Sequence, residues 1–188
     1  MLTEEFAMKT MDVTALVFAA MLVSAAGCAT HAPVAPSDVP AGLRAPPDQT
    51  LALATRATGV QIYQCAPRKG QADAFEWAFT APEAQLMDDA GRIIGKHYAG
   101  PTWESTDGSK VVGEVKARDA GPDSSAIPWL LLNAKSNSGT GVFTRVTSIQ
   151  RVHTEGGNAP SSPCGRDNMQ QVIRMPYKAD YYFYVVKP

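Results

Sequence analysis

Along KVVGEVKAR, residues 110–118, Val111, Gly113, Val115 and Ala117 alternate with Val112, Glu114, Lys116 and Arg118. This two-residue period belongs to a strand with one face buried and the other wet. Nine further runs carry β-branched or aromatic residues between breaks of Gly, Pro, Asp and Asn. They are TLALATR (50–56), GVQIYQC (59–65), FEWAFT (75–80), AQLMD (84–88), RIIGKHY (92–98), PWLLLNAK (128–135), GVFTRVTSIQRV (141–152), QVIRM (171–175) and DYYFYVV (180–186). Each reads as a strand bounded by turn residues. Asp89-Ala90-Gly91, Asp107-Gly108 and Asn137-Ser138-Gly139 supply tight connections. No stretch beyond the leader repeats at helical spacing for more than about two turns. The pattern predicts an all-β single domain over residues 49–188, an antiparallel β-sandwich or a barrel. PWLLLNAK is apolar throughout, so this strand is expected to be buried on both faces with Trp129 in the core.

The N-terminal pattern is different. VTALVFAAMLVSAAG, residues 13–27, holds fifteen residues without a charge. A membrane span needs about 20 apolar residues, so the run fits the apolar centre of a signal peptide over residues 1–27. Glu4 and Glu5 spoil a basic leader, whereas a start at Met8, followed by Lys9, gives a cleaner one. Ala25-Ala26-Gly27 ahead of Cys28 resembles a lipobox, which implies a lipid on Cys28. The alternative is an ordinary cleaved signal with an incidental cysteine. Ala29 after the cysteine implies, by the same resemblance, the outer membrane. Residues 28–48 are rich in proline and read as an extended tether, with His31 solvated.

Composition adds limits. The formal net charge is −1 and no basic stripe is present, so a nucleic-acid partner is not expected. If Cys28 is lipidated, Cys65 and Cys164 remain, and an exported chain meets an oxidising compartment where such a pair is expected to bridge. A metal or nucleophile role for one thiol is the alternative, without a CxxC or Cys-His spacing to favour it.

Several stretches together then carry a resemblance. GVQIYQC, FEWAFTAPEAQLMD, GKHYAGPTWES, IPWLLL, IQRVHTEGG and MPYKADYYFY are similar to an exported bacterial and fungal family catalogued as domain of unknown function 3455. The resemblance implies a secreted β-rich domain and supports pairing Cys65 with Cys164, but it brings no activity and no catalytic residues. A malate dehydrogenase label carried by some relatives is not supported. There is no G-x-G-x-x-G after a strand, and strands do not alternate with helices to build a dinucleotide fold.

Candidate chemistry gathers around HYAGPTWESTDGS, residues 97–109. His97 and His153 each close a strand-like run. Brought together with Glu104, Asp107 or Glu155, they would make a two-histidine, one-carboxylate metal site, although neither H-E-x-x-H nor His-x-His spacing occurs. His97 with Glu104 and Asp107 is the alternative acid–base set, and simple hydrogen bonding at strand ends is the structural reading. Tyr98 and Trp103 offer aromatic faces to a sugar or peptide, or Trp103 anchors the segment to the core. Arg151 either pairs with Asp180 inside the protein or clamps an anionic ligand. The expectation is therefore a lipid-anchored envelope protein on the outer membrane, acting as a non-catalytic binding or structural module. Its surface would include Tyr98, Trp103, Glu104 and Asp107, and its ligand would be a glycan, a peptide or a small molecule. No cofactor is expected. The alternative is a metal-assisted hydrolase using His97 and His153. Oligomeric state and ligand identity do not follow from the sequence.

Overall fold

Eight antiparallel strands close on themselves in chain order, each paired with its neighbours and the last with the first. They are β1 (Gln49–Arg68), β2 (Gln71–Met87), β3 (Ile93–Tyr98), β4 (Thr102–Ser105), β5 (Lys110–Asp119), β6 (Trp129–Ser138), β7 (Val146–Gly156) and β8 (Val172–Val186). The computed structural model describes residues 33–188, apart from the side chain of Ala72. The signal-peptide reading, Cys28 and His31 lie outside those residues. The all-β, antiparallel expectation holds, and of its two architectures the closed barrel is the one formed.

Ten expected strands become eight because three pairs fuse and one strand was hidden. The fused pairs meet at Gly59 in β1, Pro82 in β2 and Pro176 in β8. Across the wall, Gln61 faces Pro82, Val60 faces Pro176 and Gly59 faces Ala84. The three breakers thus converge on one patch of a curved wall instead of ending strands. A β-carbon on Gly59 would lie 2.1 Å from the Glu83 carbonyl oxygen, so glycine permits a close approach of β1 and β2. Register shifts at Leu51/Leu53, Ile62/Tyr63 and Pro67/Arg68 bend the long β1. The hidden strand is β4. TWES lies between the strands expected at 92–98 and 110–118, yet it is itself a strand that pairs with β3 and β5.

Alternation along the strands sorts side chains into two apolar layers. The interior cluster includes Leu86, Trp103, Val111, Leu130, Leu132, Ile149, Tyr181 and Phe183. A second cluster packs outside the wall, where Val39 and Leu43 cover Trp129, Leu131 and Val152. The first part of β6, Trp129 to Leu132, is therefore buried on both faces as its run of leucines predicts, while Asn133 and most of the residues after it are exposed. The covering segment belongs to the expected tether, whose last part is docked instead. A single 3-10 turn, Ala41–Leu43, shapes it, and the Gln150 amide donates to the Leu43 carbonyl at 2.6 Å. Burying two aliphatic side chains gains about 1.5–3 kcal/mol each.

Strand connections alternate between the two barrel ends. One end holds the β4–β5 turn and the β6–β7 loop, and it is plugged. Phe143 is 1% exposed and packs on Phe183 at 4.7 Å between ring centroids. The other end holds the β3–β4 turn, the β5–β6 connection and the long β7–β8 loop. That loop is stapled to β1 by the Cys65–Cys164 disulfide, with a Cα–Cα distance of 5.5 Å. The expected single disulfide is formed between the expected cysteines.

Candidate functional site

The unplugged end contains a cavity of about 430 Å³. Its depth is lined by inward residues of the strands, among them Gln61, His97, Trp103, Leu132, Arg151 and Tyr181, and its rim by Phe79, Gly100, Val115, Arg118 and Asn158. Inward parity explains the membership. On β7, Ile149 and Arg151 share the inner face, and on β1 Gln61 and Tyr63 do so. Arg151 and Arg118 are the only charged side chains in the lining other than the titratable His97, and no carboxylate is among them.

His97 sits at the back of this cavity, 2% exposed and stacked on Trp103 at 4.3 Å with an interplanar angle of 13°. Its Nδ1–H donates to the Thr102 carbonyl at 2.9 Å, the arrangement of the neutral ring. Burial holds its pKa down to about 3. The Thr102 bond opposes that fall, and the Arg151 charge adds to it. The ring is therefore uncharged at neutral pH. Tyr181 is fully buried beside it, and burial pushes its phenol up while the Arg151 charge pulls the other way. Tyr63 is likewise raised by burial and opposed by Arg151, and its hydroxyl donates to the Gly157 carbonyl at 2.7 Å.

His153 lies on the opposite side of the wall. Val152 faces Asp180 and Glu155 faces Lys178, so β7 has one residue more than β8 across this interval. His153 is that bulge, with φ of 49°. Strict alternation from Arg151 would point it inward. The bulge instead leaves it outside with Val152, its Nδ1 at 2.8 Å from Asp180 and its Nε2 at 3.0 Å from Asp38 of the covering strap. Partial burial disfavours its charge, but the hydrogen bonds and charges of Asp180 and Asp38 outweigh that and raise its pKa.

The structure therefore does not bring His97 and His153 together, because the wall separates them. Among the described residues no group of three or more His, Cys, Asp or Glu side chains is placed to hold a metal ion. The expected Arg151–Asp180 pair is not formed either. Asp180 faces outward to His153, while both Nε and Nη2 of Arg151 reach the Pro128 carbonyl, at 3.2 and 2.8 Å.

The expected surface of Tyr98, Trp103, Glu104 and Asp107 is also divided. Trp103 is 1% exposed and points inward. Tyr98 and Glu104 are paired outside, the phenol donating to the carboxylate at 2.7 Å, with Lys110 and Lys96 at 3.3 and 3.5 Å from the same oxygen. That bond raises Tyr98 and lowers Glu104. Asp107 fastens the plugged end. It accepts from Ser109 Oγ at 2.6 Å and from the Val142 amide at 2.9 Å, and these bonds help hold its pKa near 2, the Ser109 hydroxyl first among them. Glu155 pairs outside with Lys178 at 2.9 Å.

Gln61, Tyr63, Phe79 and Arg118 line the cavity although none was singled out in the sequence as a site residue. A signal existed for one of them. Gln61 shares the buried parity of Ala57, Tyr63 and Cys65. A polar group on a buried parity needs a partner, and partners gather at sites.

The chain belongs to the family described as protein of unknown function, DUF3455, whose model matches residues 46–185. No curated protein and no solved structure matches it.

Proposed function

We propose that this chain is a non-catalytic binding module of the cell envelope, exported and lipid-anchored at Cys28, which holds a small and largely apolar molecule in the mouth of its barrel. The observation that carries the reading is the cavity itself. Eight-stranded barrels are wide enough either to be filled by side chains or to hold one small ligand. Here one end takes the first option through Phe143 and the other leaves about 430 Å³, within the range of small-molecule pockets. Phe79, Pro82, Val115, Ile127, Leu130 and Leu132 give it an apolar body.

The non-catalytic part rests on the placement of the titratable groups. His97 has no carboxylate to orient it and stays neutral, while Glu104, Asp107 and His153 are engaged on other faces. The anchor at Cys28 rests on the lipobox-like sequence, and metabolic labelling with palmitate should mark the protein and miss a Cys28→Ser variant.

The binding reading is tested with N-phenyl-1-naphthylamine, a neutral fluorophore bright only in apolar surroundings. The purified domain should take it up saturably, one per chain, and Val115→Trp at the rim should block uptake without unfolding. Absence of saturable uptake by the unaltered domain would overturn the reading.

A further inference from the structure

We infer that the cavity is built for an anionic ligand, a small monocarboxylate whose acid group meets Arg151 and whose apolar body fills the mouth. This rests on the cavity being a binding site and names the chemistry that it selects.

Charge balance is the first argument. Arg151 enters the wall from β7 with no ion-pair partner among the described residues, and every other charged residue of the lining, Arg118 alone, is also a cation. Arg151 is half-buried, and a charge partly withdrawn from water is costly unless it is paired. The Pro128 carbonyl takes two of the five guanidinium N–H groups, and the Tyr181 hydroxyl lies against the same fork, so no anion meets it. A carboxylate fits such a fork through paired charge-assisted bonds.

Hydrogen-bond balance is the second argument, and it is independent of charge. Three buried polar atoms without a protein partner belong to side chains of the lining: Gln61 Nε2, Trp103 Nε1 and Tyr181 Oη. The Trp103 indole can only donate, whereas Gln61 faces the Tyr177 hydroxyl and the Tyr181 hydroxyl faces Arg151, and hydroxyls both donate and accept. Gln61, Trp103 and Tyr181 are 2%, 1% and 0% exposed, so solvent at the surface does not serve them. The donors left over around the cation are the Trp103 indole and the rest of the Arg151 fork, a surplus with no carboxylate in the lining to meet it. An ammonium ligand would add to that surplus, and an uncharged alkane would leave it in place. An acid group supplies acceptors and the missing negative charge together.

The ligand is expected to be small because the back of the cavity is closed by the His97–Trp103 stack and by the interior core. One acid group is expected because Arg151, half-buried, is the inner of the two cations and Arg118 is exposed at the rim.

The test compares octanoate, 1-octanol and octylammonium on the unaltered domain, by displacement of N-phenyl-1-naphthylamine at pH 7. Octanoate should bind at least about tenfold more tightly than octanol, the scale expected for a charge-assisted bond, and octylammonium more weakly than either. Arg151→Met should bring octanoate affinity down to that of octanol. If Arg151→Met does not fold, the three-ligand comparison on the unaltered domain decides. Tyr181→Phe, which keeps the ring, should lower octanoate affinity severalfold and leave octanol unchanged. Fluorophore uptake with equal affinity for octanoate and octanol would overturn the acid preference alone. Loss of all uptake would overturn the binding reading beneath it.

Discussion

The two histidines of the described domain stand on opposite faces of one barrel wall, and they have opposite chemistry. His97 is enclosed with Trp103 and Tyr181, makes one bond to a backbone carbonyl and is held neutral by burial. His153 packs edge-on against Trp129 at 5.2 Å, lies between two carboxylates and is biased toward its charged form. Residue type does not decide this. Strand parity places His97 inside, and one extra residue in β7 carries His153 outside. The inner face holds a cation without an anion to pair with, whereas on the outer face His153 is met by two carboxylates. That difference is what the proposed ligand would answer.

The largest way to break the contrast is to remove the inner aromatic. Trp103→Ala should destabilise the domain by roughly 3–5 kcal/mol in urea unfolding, as large-to-small changes in a filled core do. A loss below about 1 kcal/mol would mean that Trp103 is not part of a continuous interior. The strap gives the outer counterpart. Leu43→Ala should cost about 2 kcal/mol or more and expose residues 33–45 to protease while leaving fluorophore uptake intact.

Acid separates the two rings by sign. The folded pKa of His97 lies below its unfolded value of 6.5, so protons bind the unfolded chain first as pH falls. Its contribution is complete above pH 6.5 and is lost toward pH 3, at about 1.4 kcal/mol per pH unit. His153 runs the other way. Its raised pKa adds stability that is fully present below 6.5 and disappears as pH climbs through the folded value. His97→Phe should flatten the acid limb of the stability curve, and His153→Gln should remove only the smaller opposing effect. If His97→Phe leaves the acid limb unchanged, the ring is not held neutral by burial. Asp107, with its pKa held near 2, adds a further loss only below its ordinary value of 3.8.

The smallest effect is expected at Tyr98. Its bond to Glu104 lies on the solvated face, where such pairs contribute little. Tyr98→Phe should leave both the unfolding midpoint and ligand uptake unchanged. A loss of uptake would return the site to the outer surface.

The strands were legible because their buried sides repeat every second residue, and the disulfide because reading Cys28 as a lipid anchor leaves Cys65 and Cys164, the pair that the family resemblance also supports. The fused strands were not. Gly59, Pro82 and Pro176 are local breakers, and only their meeting across three neighbouring strands turns them into a bend. β4 was hidden because TWES is short and flanked by Gly-Pro and Asp-Gly. Trp103 was legible as an anchor, whereas Arg151 reaches the Pro128 carbonyl and not Asp180, which the bulge leaves to His153. The supposed partnership of His97 with His153 failed for a reason that no spacing reveals, namely a bulge with left-handed backbone at a non-glycine residue. Gln61 was readable in principle as a polar residue on a buried parity.

The most direct measurement is nuclear magnetic resonance of the domain during an octanoate titration. The Trp103 indole N–H and the His97 ring should shift together and saturate, while the His153 ring and the Trp129 indole stay where they were. Movement of His153 and Trp129 with Trp103 and His97 unmoved would contradict an interior site.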